Sequence, residues 1–167
     1  TEMNKPAKLS DLMLSLEMPS EDFCHYFDRK TGAVVTVEDA LLSSLEDGAE
    51  EDSGDFEGWD REEYEAAKEI FGDDGSRFVS LPDKFDFDEY HVMEKFIRSL
   101  DDHEAASQLW NAIKGSGAFR YFKDTLHRLG IQQSWYDYLD AAQRKFVIEW
   151  ARENDVPYKD DLRKPRK

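Results

Sequence analysis

Gly115-Ser116-Gly117-Ala118-Phe119-Arg120-Tyr121-Phe122-Lys123, running on through Asp124 to Leu129, is the stretch from which the fold is read. Phe119, Phe122, Leu126 and Leu129 recur at helical spacing, so the run predicts an amphipathic helix over Ala118–Leu129 that starts at a glycine-hinged turn. Gly130 supplies the stop. A turn this short joins helices that pack on each other, which makes the C-terminal half a helical bundle. The same stretch is the candidate site. The first amides of a helix lack intrahelical partners and the dipole there is positive, so a helix start with nearby cations can hold an anion. Gly115 and Gly117 would let backbone amides face one point, and Arg120, Lys123, His127 and Arg128 form the outward set. A plain corner between two helices, with its cations in solvent, is the simpler account of the same residues.

Working outward, Ser134 is expected to cap the last long helix, which carries Trp135, Tyr138, Leu139, Ala142, Phe146, Val147, Ile148 and Trp150 to about Glu153. Residues 158–167 read as a basic, disordered tail. On the other side, Asp101 with Glu104, Asp86 with Glu89 and Asp60 with Glu63 have capping-box spacing and open three helices. Their predicted core faces are Ala105, Ala106, Leu109, Trp110 and Ile113, then Phe87, Tyr90, Met93, Phe96, Ile97 and Leu100, then Tyr64, Ala67, Ile70 and Phe71. Gly72 ends the helix that Asp60 begins.

Residues 77–81 form a short strand closed by Pro82, expected to pair with a hairpin of residues 21–27 and 33–37. Between those strands, Asp28-Arg29-Lys30-Thr31-Gly32 suits a type I turn with a left-handed glycine. Leu9, Leu12, Met13 and Leu16 mark a first helix ended by Pro19 and Ser20, and another short helix follows the hairpin from Val37 to about Leu45. Residues 46–58 are rich in carboxylates and poor in apolar groups, an acidic loop or linker. The fold class is α+β: mainly helical, with a small N-terminal antiparallel sheet and a C-terminal helical bundle, in one domain over residues 1–157.

Composition narrows the function. The 167 residues carry 22 Lys/Arg and 38 Asp/Glu, a net charge of −16, with 13% aromatic content. The rings argue for a real core despite the charge. Residues 1–113 hold 10 Lys/Arg against 30 Asp/Glu, net −20, and residues 114–167 hold 12 against 8, net +4. Only the C-terminal third therefore has an electrostatic case for an anion. One cysteine, Cys24, makes an intrachain disulfide impossible and suits a reducing compartment. No apolar run reaches the ~20 residues that span a bilayer. The expectation is a cytoplasmic protein with no membrane partner.

No catalytic residue and no cofactor is assigned. One Gly-x-Gly lacks the rest of a dinucleotide fingerprint and the Gly-Lys-Ser/Thr of a P-loop, and neither has its parallel strand here. Asp88, His91 and Glu94 have a spacing that could hold a metal, but charged residues recur so on most solvated helix faces; no metal site is assigned. The acidic loop lacks EF-hand spacing. A helix-turn-helix would present Arg120, Tyr121, Lys123, Asp124, His127 and Arg128 to DNA, yet an acidic chain is repelled by a duplex, so nucleic acid is disfavoured as a partner without being excluded. Trp135, Tyr136 and Tyr138 suit a bundle core with Tyr136 left open.

Leu81-Pro82-Asp83-Lys84-Phe85, Glu89-Tyr90, Met93-Glu94, residues 115–124 and Trp135-Tyr136 resemble a family of small, mostly bacterial, uncharacterised proteins. The resemblance runs from Leu9 to about Val156, with Gly-x-Gly-Ala-Phe-Arg-x-Phe-Lys its most specific element. It implies no agreed activity. Members often carry a second arginine where Tyr121 stands, and that departure weakens the basic patch in this chain. The sequence therefore leaves the function unknown and favours a non-enzymatic binding or regulatory module, with residues 115–128 contacting a small anionic ligand or a protein partner. The alternatives are an acidic interaction protein that masks a basic partner and, third, an enzyme whose site has no nominee.

Overall fold

A computed structural model of the chain describes residues 5–17, 21–48 and 60–162. The predicted stop at Pro19 and Ser20, most of the acidic segment 46–58 and the last five residues of the basic tail lie outside them. The elements run β1 (Ala7–Lys8), α1 (Leu9–Leu12), α2 (Leu14–Glu17), β2 (Phe23–Asp28), β3 (Val34–Glu38), α3 (Asp39–Glu46), α4 (Arg61–Phe71) and β4 (Phe78–Ser80). They continue with α5 (Glu89–Ser99), α6 (His103–Ala112), α7 (Ala118–Leu129), α8 (Gln132–Glu153) and β5 (Tyr158–Lys159). The fold is the mainly helical α+β expected, and it forms two compact units, residues 1–83 with 147–167 and residues 84–146.

In the first unit an antiparallel sheet has the order β3-β2-β4. Tyr26 faces Val35 on one side and Ser80 on the other; Phe27 lies between Val34 and Val79. Gly32 adopts φ +78°, as the predicted turn requires, and a Cβ there would stand 2.8 Å from the Pro6 carbonyl oxygen. Helices α3 and α4 bury Leu41, Leu42, Leu45, Tyr64 and Ala67 with Val37 of β3. Asp60 accepts the Glu63 amide at 2.8 Å, which is the first half of the capping box. The Glu63 carboxylate turns elsewhere and accepts the Glu38 amide at 3.3 Å, tying the start of α4 to the start of α3.

Tyr158 and Lys159, read from sequence as the head of a disordered tail, pair in parallel with Ala7 and Lys8. Their anchoring is polar. Arg29 donates to the carbonyls of Asn154 at 2.7 Å and Asp155 at 2.9 Å, where Asp155 holds φ +54°, and Asp161 accepts from both the amide and the hydroxyl of Ser10. These contacts join residues more than 100 apart in the chain, so no local pattern announces them.

The second unit comprises α5, α6, α7 and α8 through Phe146. Phe96 sits among edge-to-face rings, 6.3 Å from Phe122, 5.3 Å from Trp135 and 5.4 Å from Tyr138. Such pairs add about 0.5–1.5 kcal/mol beyond their buried area. Two predicted caps shift. Asp88 rather than Asp86 opens α5, accepting the His91 amide, and Asp102 rather than Asp101 opens α6, accepting the Glu104 and Ala105 amides. Ser134 does not cap α8, which already begins at Gln132. Val92 is buried beside Met93, whereas Tyr90 is partly exposed and donates its hydroxyl to the Ile113 carbonyl at 3.0 Å.

Candidate functional site

Glycines set the turn before helix α7 and both of its ends. Gly115 and Gly117 hold φ of +92° and +77°, left-handed values that cost an L side chain strain. Gly117 is also the N-cap, with no side chain to satisfy the first amides. A Cβ there would come 3.1 Å from Cε2 of Tyr121, so the bare Cα makes room for that ring. Gly130 closes the helix at φ +72°, its amide donating to the His127 carbonyl at 3.1 Å.

Phe122, Thr125 and Leu126 form the buried stripe of α7. Phe119, predicted to be core, is 45% exposed. Its angular position is right, seven residues before Leu126, but it stands in the first turn, where a helix has neighbours on one side only along its axis. Thr125 takes a core place that polarity hides in the sequence; its hydroxyl donates to the Tyr121 carbonyl at 2.7 Å, which satisfies it internally.

The six predicted site residues fall into two groups. Gly115, Gly117, Arg120 and Lys123 cluster at the start of α7. His127 and Arg128 lie toward its other end, about 12 Å along the axis from Arg120 at 1.5 Å per residue. Arg128 donates to the Gln108 side chain of α6 at 2.8 Å, and His127 shares a hydrogen bond with Gln132. Arg120 and Lys123 are exposed and make no hydrogen bond or ion pair among the described residues.

Other candidates are committed elsewhere. Asp88 spends its carboxylate capping α5, while the His91 ring stands 3.7 Å from Glu94; no group of three metal-ligating side chains occurs among the described residues. The Cys24 thiol is pushed up to about 11, first by burial and then by its hydrogen bond to Asp39 and nearby carboxylates. It stays protonated at neutral pH and is a poor nucleophile. Burial lowers the pKa of His25, whose Nδ1 bonds the Thr36 hydroxyl at 2.9 Å. An open groove of about 520 Å³ runs along one stripe of α6 past Trp110 and Lys114.

Sequence reasoning missed the most strongly paired charges. Asp28 is 3% exposed and takes two bonds from Arg77, at 2.9 and 3.0 Å, with others from the Lys30 amide and the Thr31 hydroxyl. Burial pushes its pKa up, but the Arg77, Lys30 and Thr31 bonds and the guanidinium charge together outweigh it and leave the carboxyl below its ordinary value. Glu69 stands 3.3 Å from the same arginine. This is a structural arrangement, since the buried Asp28 carboxylate takes these bonds from within the chain.

Fold and surface together define a small, mainly helical α+β protein with an exposed cationic helix start. The chain belongs to the uncharacterised protein family UPF0158, which it matches over residues 5–167. The UPF0158 protein PA5073 of Pseudomonas aeruginosa is 29% identical over 66 residues, 39% of this chain and 43% of that protein. The match thus spans less than half of that relative. No solved structure matches. No helix among the described residues is long and apolar enough to cross a membrane.

Proposed function

We propose that the chain is a non-enzymatic binding module that contacts an anionic ligand or partner through the start of α7. One observation carries this reading: Arg120 and Lys123 are exposed, and no described residue engages them, beside a glycine turn whose first amides have no side-chain cap. Cations with no internal partner are available to an external one, and the helix dipole reinforces their sign. Each exposed contact is worth about 1 kcal/mol or less and is screened over ~8 Å at physiological ionic strength. Binding through this face is therefore weak for a single anion and strengthens with several. The single cysteine, Cys24, suits the cytoplasm as its place of work.

Titrating the wild type and the Arg120→Glu/Lys123→Glu double variant with inorganic polyphosphate tests it. The wild type is expected to bind, with affinity falling as salt rises, and the double variant to lose binding while keeping its circular dichroism spectrum. Equal binding by the two folded proteins would sink the reading.

A further inference from the structure

We infer that the ligand of the α7 face is single-stranded nucleic acid, an inference that rests on the binding reading above and adds the ligand's class. Aromatic rings frame the exposed cations. Phe119 and Tyr121 are the neighbours of Arg120 in the chain, about 100° to either side of it on the helix, and are 45% and 55% exposed. Phe122, the next ring, is 1% exposed and belongs to the core. Two large aromatic side chains thus stand largely in water beside Arg120 and Lys123.

Tyr121 is also held in place. Its ring lies against the bare Cα of Gly117, close enough that a Cβ would stand 3.1 Å away. A ring already restrained loses little further freedom when another ring stacks on it.

Charge agrees with this. Residues 105–136 contain four Lys/Arg (Lys114, Arg120, Lys123 and Arg128) and a single carboxylate, Asp124, within a chain of net −16. Residues 84–146 as a whole carry 9 Lys/Arg against 10 Asp/Glu, net −1, so most of the negative charge lies outside the unit that holds α7.

A single strand offers what this surface lacks: unpaired bases with open π-faces, spaced by phosphates. Rings stack the bases and cations track the backbone, without need of sequence-specific hydrogen bonds. A bare polyphosphate or an acidic peptide would use Arg120 and Lys123 and leave the rings idle. Duplex DNA keeps its base faces inside the stack and presents the denser charge to an acidic chain.

The test uses fluorescein-labelled oligothymidylate and oligouridylate of about 12 nucleotides, titrated with the full chain at low salt and followed by anisotropy. Inorganic polyphosphate, an oligoglutamate peptide and duplex DNA serve as competitors. Binding is expected, with unlabelled single strand the strongest competitor. Phe119→Ala and Tyr121→Ala should each weaken it about tenfold, Phe119→Tyr and Tyr121→Phe should retain it, and Arg120→Glu/Lys123→Glu should abolish it. The ring-retaining variants separate loss of stacking from loss of fold. Oligonucleotide binding that the alanine variants leave unchanged would overturn the inference. So would binding of polyphosphate or oligoglutamate without the single strand; if Arg120→Glu/Lys123→Glu abolishes that binding, the anion reading survives. Absence of binding to every probe, or binding indifferent to Arg120→Glu/Lys123→Glu, overturns both.

Discussion

Arg77 and Arg120 are the same side chain in opposite circumstances. In the first unit, Arg77 lies across the buried carboxylate of Asp28, and Glu69 and the Phe78 ring complete its surroundings. In the second, Arg120 stands in solvent between two exposed rings with no partner among the described residues. Phe122 and Phe119 repeat the contrast in apolar form, one inside an aromatic cluster and the other three residues earlier and open. A group whose interactions are met inside the molecule maintains the fold, and one whose interactions are not is available for contact with something else. If the contrast is real, the first member of each pair should govern stability and the second should hardly affect it.

The largest effect is expected at Phe122. Phe122→Ala removes a ring 4.8 Å from Trp135 and 6.3 Å from Phe96, and should cost about 4 kcal/mol in urea unfolding, whereas Phe119→Ala should cost less than about 1. Comparable losses for the two would break the comparison. Asp28→Asn comes next. It leaves the Arg77 guanidinium without its buried anion, and because Arg77 keeps Glu69 and some contact with water the loss should sit near the low end for broken buried pairs, about 3 kcal/mol.

The same carboxylate sets a pH dependence. Its folded pKa is depressed, so its stabilisation is present above the unfolded value of about 3.9 and disappears as pH falls through the lower folded value. Between pH 5 and pH 2 the wild type should therefore lose stability more steeply than Asp28→Asn, as followed by denaturant midpoints at each pH. Parallel slopes would mean that Asp28 is not held as its bonds imply. Gly117→Ala should cost about 1–2 kcal/mol, from the left-handed backbone and the crowding of the Tyr121 ring. The smallest effect is expected for Arg120→Glu/Lys123→Glu, whose stability should stay within about 0.5 kcal/mol of wild type. A larger loss would show that these cations serve the fold after all.

Much of the outline was legible because it is local. Helical spacing located α4 and α7 to the residue, and the Asp28–Gly32 turn with its flanking β-branched and aromatic runs located the hairpin. Caps were read one or two residues early where acidic residues cluster, as at Asp86/Asp88 and Asp101/Asp102. Several carboxylates in a row all satisfy the pattern, and only backbone geometry picks the one that bends back. At the candidate site, the glycines and outward cations of α7 were readable from period alone. The division of that set was not, because Arg128 is drawn off by Gln108, twenty residues away.

By itself, then, the sequence determined the longer helices and the hairpin, most of their apolar faces, and that positive charge gathers in the last third. These follow from periodicity and composition, which act within a few residues. Tertiary structure alone decided that Tyr158 and Lys159 form a strand, that Phe119 is open, that Asp28 is paired by Arg77, and that Arg120 and Lys123 have no partner among the described residues. Each of those depends on which distant group arrives alongside, because burial and hydrogen bonding are properties of a neighbourhood in space and a residue's neighbours in sequence do not specify it.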